Sequence, residues 1–170
     1  GWATPYADMD LAHCRMQNEV DKIRDLFKKA EVVFCLSDPE HNFRKSILTS
    51  YKGNRGGGMR PILFGWIRDW IDENTECYWE PTLEADDLLG ILATKEGALM
   101  YTIDKDMMTV PGTVVNPSTN KRTTSSLEEA NLFHLIQALV GDAVDNYRGC
   151  PGVGPVKAKK ILDNDPTWSG

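Results

Sequence analysis

The alternation of apolar and polar positions divides the 170 residues into successive helical and extended stretches. From residue 8 to 29, Leu11, Cys14, Val20, Ile23, Leu26 and Phe27 recur at helical spacing and lead into the apolar run EVVFCLS, read as a strand. A basic, Gly-rich loop follows. Pro61 then opens an amphipathic helix through Trp70 and Ile71, because proline suits a first helical turn. ECYWE reads as the next strand, EADDLLGILATKEG as a helix with Gly97 near its end, and ALMYTI as the strand after it. This repetition predicts an α/β fold with a mainly parallel sheet, helices on both faces, and sites at the carboxyl ends of strands, where Asp38 and Asp104 fall. Beyond Asp106, VPGTVVNPSTNKRTT carries turn signals and predicts a short hairpin or extended excursion. SSLEEANLFHLIQALVGD starts with a Ser cap and an acidic first turn and predicts a helix to Gly141.

Length allows one core with a small appendage, and no apolar run is long enough to span a bilayer, so no membrane role is expected. Cys14, Cys35, Cys77 and Cys150 are far apart and form no CxxC pair, which favours a reducing, intracellular setting over a disulfide framework. The first residues, GWATPYADMD, show no signal peptide and read like the middle of a longer chain.

The net charge of −6 is unevenly spread. Residues 41–60 carry Arg44, Lys45, Lys52, Arg55 and Arg60 with no acid, and residues 147–160 carry Arg148, Lys157, Lys159 and Lys160 with no acid. Two basic stretches beside an acidic centre suit a polyanion held by its phosphates, although either stretch alone is equally a solvated face.

The acids fall in four short clusters: Asp38 after VVFCLS, EADD with Glu84, Asp86 and Asp87, IDKD with Asp104 and Asp106, and GDAVD with Asp142 and Asp145. Carboxylates gathered about 4 Å apart repel by roughly 4 kcal/mol per pair at an effective dielectric near 20, so a fold that gathers them normally does so around metal. Oxygen ligands without His or Cys select Mg²⁺ or Mn²⁺. Glu84 and Asp87 share a helix face, while Asp86 projects about 100° from Asp87. First-turn acids are also what the helix dipole favours, and Asp104 and Asp106, two apart on an extended segment, are equally an ordinary Asp-rich loop. RGCPGVGPVKAKKIL adds a helix-hairpin-helix signature. Gly152 and Gly154 let the backbone approach a phosphate, Pro155 opens the helix, and Lys157, Lys159 and Lys160 supply charge without reading sequence.

FRKSILTSYKGNR, EADDLLG, TIDKDM and GDAVDNYRGCPGVGPVKAKKIL together resemble the flap endonucleases and 5′-3′ exonucleases of phages, of the nuclease domain of bacterial DNA polymerase I and of eukaryotic replication, the phage branch above all. The resemblance implies a PIN-like nuclease core over 1–146, lacking its first strand and one further metal-ligating Asp, and a helix-hairpin-helix element over 147–170, truncated at its C-terminus. It implies two Mg²⁺ or Mn²⁺ ions, the first held by Asp38, Glu84 and Asp86, the second held or oriented by Asp104, Asp106, Asp142 and Asp145, with Asp87 adjacent. Lys52 and Arg55 match the basic residues that reach the scissile phosphate, with Arg44 and Lys45 supporting the same strand. Arg148, Gly152, Gly154, Lys157, Lys159 and Lys160 would grip DNA. The backbone of Gly149, Gly152 and Gly154 is a candidate K⁺ site. Tyr51 would stack on a base or pack in the interior. The expected partner is DNA with a 5′ end, flap or RNA primer, met by a monomer in the cytoplasm of a bacterium or phage-infected cell.

Three other readings share some of these features. A non-catalytic DNA-binding module has no use for four acid clusters, a PIN-like ribonuclease usually lacks the hairpin, and a metal-dependent phosphatase leaves the basic stretches unexplained. His13, His41 and His134 are scattered and read as structural, and Phe64, Trp66 and Trp70 read as core rather than a stacking platform.

Overall fold

A computed structural model of the chain describes residues 8–54 and 60–164. Asp8 starts the first helix, its carboxylate accepting from Leu11 N at 2.9 Å, and α1 runs over Met9–Leu26. Next come β1 (Phe34–Cys35), a one-turn α2 (Arg44–Ile47), α3 (Phe64–Asn74) and β2 (Cys77–Tyr78). They are followed by α4 (Ala85–Glu96), β3 (Met100–Tyr101), a 3₁₀ helix over Lys105–Thr109, β4 (Gly112–Val115) and β5 (Arg122–Ser125). The chain continues through α5 (Leu127–Val140), β6 (Gly141–Asp142), β7 (Tyr147–Arg148) and α6 (Pro155–Asn164). None of the helices among the described residues is long and apolar enough to cross a membrane.

The mixed α/β order holds, but the single parallel sheet does not. Among the described residues the strands form three sheets: β1 with β2 in parallel, β3-β4-β5 with a parallel and an antiparallel ladder, and the antiparallel ribbon β6-β7. The antiparallel pairs arise because short turns join their strands, whereas each parallel pair is separated by a helix or a 3₁₀ turn. Pairing extends slightly beyond the ladders, with Leu36 N bonded to Tyr78 O at 2.9 Å and Thr102 N to Val115 O at 3.1 Å.

Two further expectations shift. α3 begins at Phe64, because Pro61 to Leu63 form a turn closed by Phe64 N on Pro61 O at 2.9 Å. The IDKD segment is not extended. Asp104 takes Asp106 N at 2.8 Å, and this side-chain cap starts the 3₁₀ helix in place of a continued strand.

The chain forms two compact units. In the first, whose described parts are 8–36 and 60–79, Val20 and Trp70 are buried and the His13 ring meets Trp70 edge-on at 5.7 Å. Cys35 is half-buried there, and burial, reinforced by Cys77, pushes its thiol up to about 11, which marks an inert, packed cysteine. The second unit, described over 37–54 and 80–164, holds all the acid clusters. Its core joins Ala93 of α4, Met100 of β3, Met107 of the 3₁₀ helix and Val114 of β4, with Ala130 and Leu135 of α5 and Ala158 and Leu162 of α6 also buried. Gly97 closes α4 in the left-handed conformation, and Ser126 caps α5 by accepting from Glu129 N at 3.2 Å.

Candidate active site

The start of α4 sorts its acids by task. Asp87 Oδ2 accepts from Glu84 N at 2.9 Å, half of a capping box, and the Asp87 carboxylate is gripped by Arg44 of α2, with Nη1 to Oδ2 at 2.8 Å and Nη2 to Oδ1 at 2.6 Å. Arg44 also lies 3.3 Å from Glu84 Oε2 and over the Phe43 ring. Burial would raise the Asp87 carboxyl, but the Arg44 fork holds it below its ordinary value. Asp86 is different. Burial, then the neighbouring charges of Asp104 and Glu84, push it up to about 6. An acid raised first by burial and then by like charges marks Asp86 as a candidate functional residue.

Glu84 is itself held by cations and donors from the YKGN turn. The Lys52 ammonium bonds Glu84 Oε1 directly and stands 4.0 Å from Asp145 Oδ1. Tyr51 is 9% exposed, and its hydroxyl donates to Glu84 Oε2 at 2.7 Å and to Asp145 Oδ2 at 3.1 Å. Burial opposes ionisation of Glu84, yet these donors lower it, while burial beside Glu84 raises the Tyr51 phenol. The side chain of Tyr51 thus fits the packing alternative. The basic stretch is not a free face either, since Arg44 and Lys52 are paired with acids, while Lys45 is exposed and Arg55 lies outside the described residues.

The second group of carboxylates gathers from three elements. Asp106 accepts from Gln137 Nε2 of α5 at 2.6 Å, and it is raised by burial and by Asp104 and Asp142. Asp142 Oδ1 accepts from Val144 N at 2.7 Å, turning the loop that carries Asp145. Gln137 was missed by the sequence reading. Its signal was a single amide inside the apolar run LFHLIQALV.

Asp38 serves as a loop staple. Oδ2 takes Thr82 N at 2.7 Å, Oδ1 takes Glu40 N at 2.8 Å and His41 N at 3.0 Å, and these bonds lower it to about 2. A carboxylate has about four acceptor positions, so one remains for a water-mediated ligand. His41 Nδ1 stands 3.8 Å from the same carboxylate.

Among the described residues, no three His, Cys, Asp or Glu side chains converge closely enough to hold an ion as they stand. Glu84 is turned to Lys52 and Tyr51, Asp106 to Gln137, and Asp38 to its own turn and to Thr82 N. The donor chemistry fits a hard divalent cation, and the crowding of Asp86, Asp104 and Asp106 supplies the charge for one.

The glycines of the C-terminal segment divide into two kinds. A Cβ on Gly149 would overlap the Val140 carbonyl carbon and Gly141 N, so the backbones touch there, whereas Gly152 (φ +71°) and Gly154 face open space. Arg148, Lys157, Lys159 and Lys160 are exposed, and the Lys157 ammonium donates to Gly152 O at 3.4 Å. The turn 149–154 thus joins the β6-β7 ribbon to α6, which packs on α5.

Residues 11–135 match the family described as 5′-3′ exonuclease, N-terminal resolvase-like domain. The chain belongs to this family. The exodeoxyribonuclease of Enterobacteria phage T3 is 33% identical to this chain over 147 residues, 81% of the chain and 48% of that protein. The exonuclease of Escherichia phage T7 is 32% identical over 145 residues, 79% of the chain and 48% of that protein. The chain therefore spans about half the length of these relatives. In fold it is similar to phage T5 flap endonuclease, solved as a pseudo-enzyme-product complex with DNA and metal ions, with a TM-score of 0.74 at 16% identity over 89% of this chain and 66% of that one. The family match ends at residue 135, ahead of GDAVD and the Gly-rich turn.

Proposed function

We propose that the protein is a Mg²⁺-dependent 5′-3′ exonuclease and 5′-flap endonuclease that hydrolyses phosphodiester bonds in DNA. The observation that carries this is the mutual crowding of Asp86, Glu84 and Asp104 and of Asp104, Asp106 and Asp142, with Lys52 among them, in a chain of the 5′-3′ exonuclease family. Asp38, Glu84 and Asp86 would hold a first divalent ion, and Asp104, Asp106, Asp142 and Asp145 a second. Two such ions, when bound, acidify a water to hydroxide and stabilise charge on the attacked phosphate.

The chain's own residues do the rest. Gln137 fixes the rotamer of Asp106, and Arg44 keeps Asp87 and the α4 start in place. Lys52, which reaches Glu84, would with Arg55 add positive charge where the phosphate oxygens become more negative. Lys45, Arg148, Lys157, Lys159 and Lys160 neutralise DNA phosphates, and amides at Gly152 and Gly154 donate to one. The same reading divides the chain into a PIN-like core over 1–146 and a helix-hairpin-helix element over 147–170, with K⁺ on the backbone carbonyls of Gly149, Gly152 and Gly154, acting as a cytoplasmic monomer on a 5′ end, flap or RNA primer.

Incubating the protein with a 5′-flap duplex, with and without Mg²⁺, and resolving the products on a gel tests this. Cleavage should require Mg²⁺ and fall at least about a hundredfold in Asp104→Ala plus Asp106→Ala. Equal cleavage by that variant would instead favour a DNA-binding module.

A further inference from the structure

The turn that carries Lys52 is fastened to the loop that carries Asp145 by a reciprocal pair of asparagines. Asn54 Nδ2 donates to Ala143 O at 2.8 Å, and Asn146 Nδ2 donates to Ser50 O at 2.8 Å. Between them, the backbone N–H of Lys52 donates to Asp145 O at 2.9 Å. Each loop thus offers one amide side chain to the other's backbone, and the middle bond fixes the residue whose ammonium enters the acid cluster.

The turn that carries Lys52 is the one that needs such a fastening. Lys52 has φ +54°, a region that a long side chain occupies only when its surroundings hold it there, and Asn146, of a residue type that tolerates that region, has φ +57°. Ser50 O accepts from Gly53 N at 2.9 Å as well as from Asn146, so both lone pairs of the carbonyl that closes the turn are used. With backbone and neighbours pinned on both sides, the Lys52 side chain leaves the turn in one direction, toward Glu84 and Asp145.

We propose that Asn54 and Asn146 form a clasp that positions Lys52 for its part in phosphodiester cleavage, and that neither acts on the reacting atoms itself. This rests on the nuclease reading above. The clasp is neutral, so it holds whether the carboxylates carry protons, Lys52 or a metal ion, and it keeps the ammonium beside the site when Glu84 changes partner.

The test is single-turnover cleavage of a 5′-flap duplex in Mg²⁺, with binding of the same duplex followed separately by fluorescence anisotropy. Asn54→Ala and Asn146→Gly, the latter keeping the left-handed backbone while removing the amide, should each slow the chemical step about tenfold or more and change DNA affinity less than about threefold. Added to Lys52→Ala, either should slow cleavage no further than about twofold, because the group being positioned is already gone. Full multiplicative loss in the Lys52→Ala background, or an unchanged rate in both single variants, overturns the clasp. If Lys52→Ala itself cleaves at the wild-type rate, Lys52 has no part to be positioned for and the clasp is overturned as well; if the wild type shows no Mg²⁺-dependent cleavage, the underlying nuclease reading fails instead. Melting temperatures of all variants separate either outcome from simple unfolding.

Discussion

Asp86 and Asp38 carry the same side chain, and the fold moves their protons in opposite directions. Three backbone amides, Thr82 first, lower Asp38 to about 2, while burial and two like charges raise Asp86 to about 6. In the unfolded chain both titrate near 3.9. Between pH 4 and about 6 the folded protein therefore holds a proton at Asp86 that the unfolded one has lost. Stability falls as pH rises through that window, and the whole penalty is present above it. Asp38 has the opposite sign, stabilising fully above pH 4 and losing its effect as pH drops toward 2. Asp86→Asn removes only the Asp86 contribution. In chelator it should melt higher than wild type at pH 7.5 and at nearly the wild-type temperature at pH 4, and thermal melts giving the same shift at both pH values would contradict the assignment of strain to Asp86. The sequence set Asp87 beside the expected ligands Glu84 and Asp86 but gave no sign of which of the three would be held down and which pushed up. What separates them is Arg44, 43 residues from Asp87, and Lys52, 32 residues from Glu84. Pairings over such distances leave no periodic trace.

At the scale of elements, helices were readable where their signals are local. The Ser cap of α5, the left-handed Gly97 after α4 and the spacing in α1 each lie within a turn or two of what they control. The strands up to β5 fell where apolar runs and turn signals put them, but β6 and β7 were not foreseen and the sheet was not, because partner and direction depend on connections rather than on apolar runs. The β6-β7 ribbon shows what composition conceals. Gly149 and Gly154 look alike in GCPGVGP, yet only Gly149 lies against backbone, with Val140, Gly141 N and Leu139 O where a Cβ would go. Those atoms cannot rotate away as a side chain could. Gly149→Ala should cost at least about 3 kcal/mol, toward or beyond the usual limit for overpacking. Gly154→Ala, facing open space, should change stability by about 1 kcal/mol or less. Urea unfolding of the two variants compares them directly, and equal losses would show that the close approach of Gly141 and Gly149 relaxes at little cost.

For the whole molecule, 25 acidic residues against 19 basic ones leave an excess of negative charge, and much of the conflict sits in the second unit. The family resemblance was legible because short strings keep their order along the chain. The way the chain manages the charge was not, because the sequence shows acids and bases as separate stretches, whereas the fold threads Arg44 and Lys52 between the carboxylates. Lys52 thereby stands in for part of the charge that a divalent cation would bring. On the proposed assignment of Glu84 to the metal, cation and ammonium would compete for it, and the energy of metal binding would include the cost of moving Lys52 aside. A ligand at a hundred times its dissociation constant stabilises by about 2.7 kcal/mol. For a chain of this size that raises the melting temperature by roughly 5–10 °C. Lys52→Ala should melt below wild type in chelator, since Glu84 and Asp145 lose their counter-charge, and should gain more than wild type on addition of Mg²⁺, narrowing the gap between them. An equal Mg²⁺ shift in both proteins, measured by thermal melts across a Mg²⁺ series, would mean that the ion and Lys52 do not share Glu84, and that the carboxylates nearest Asp104 bind it without disturbing the basic turn.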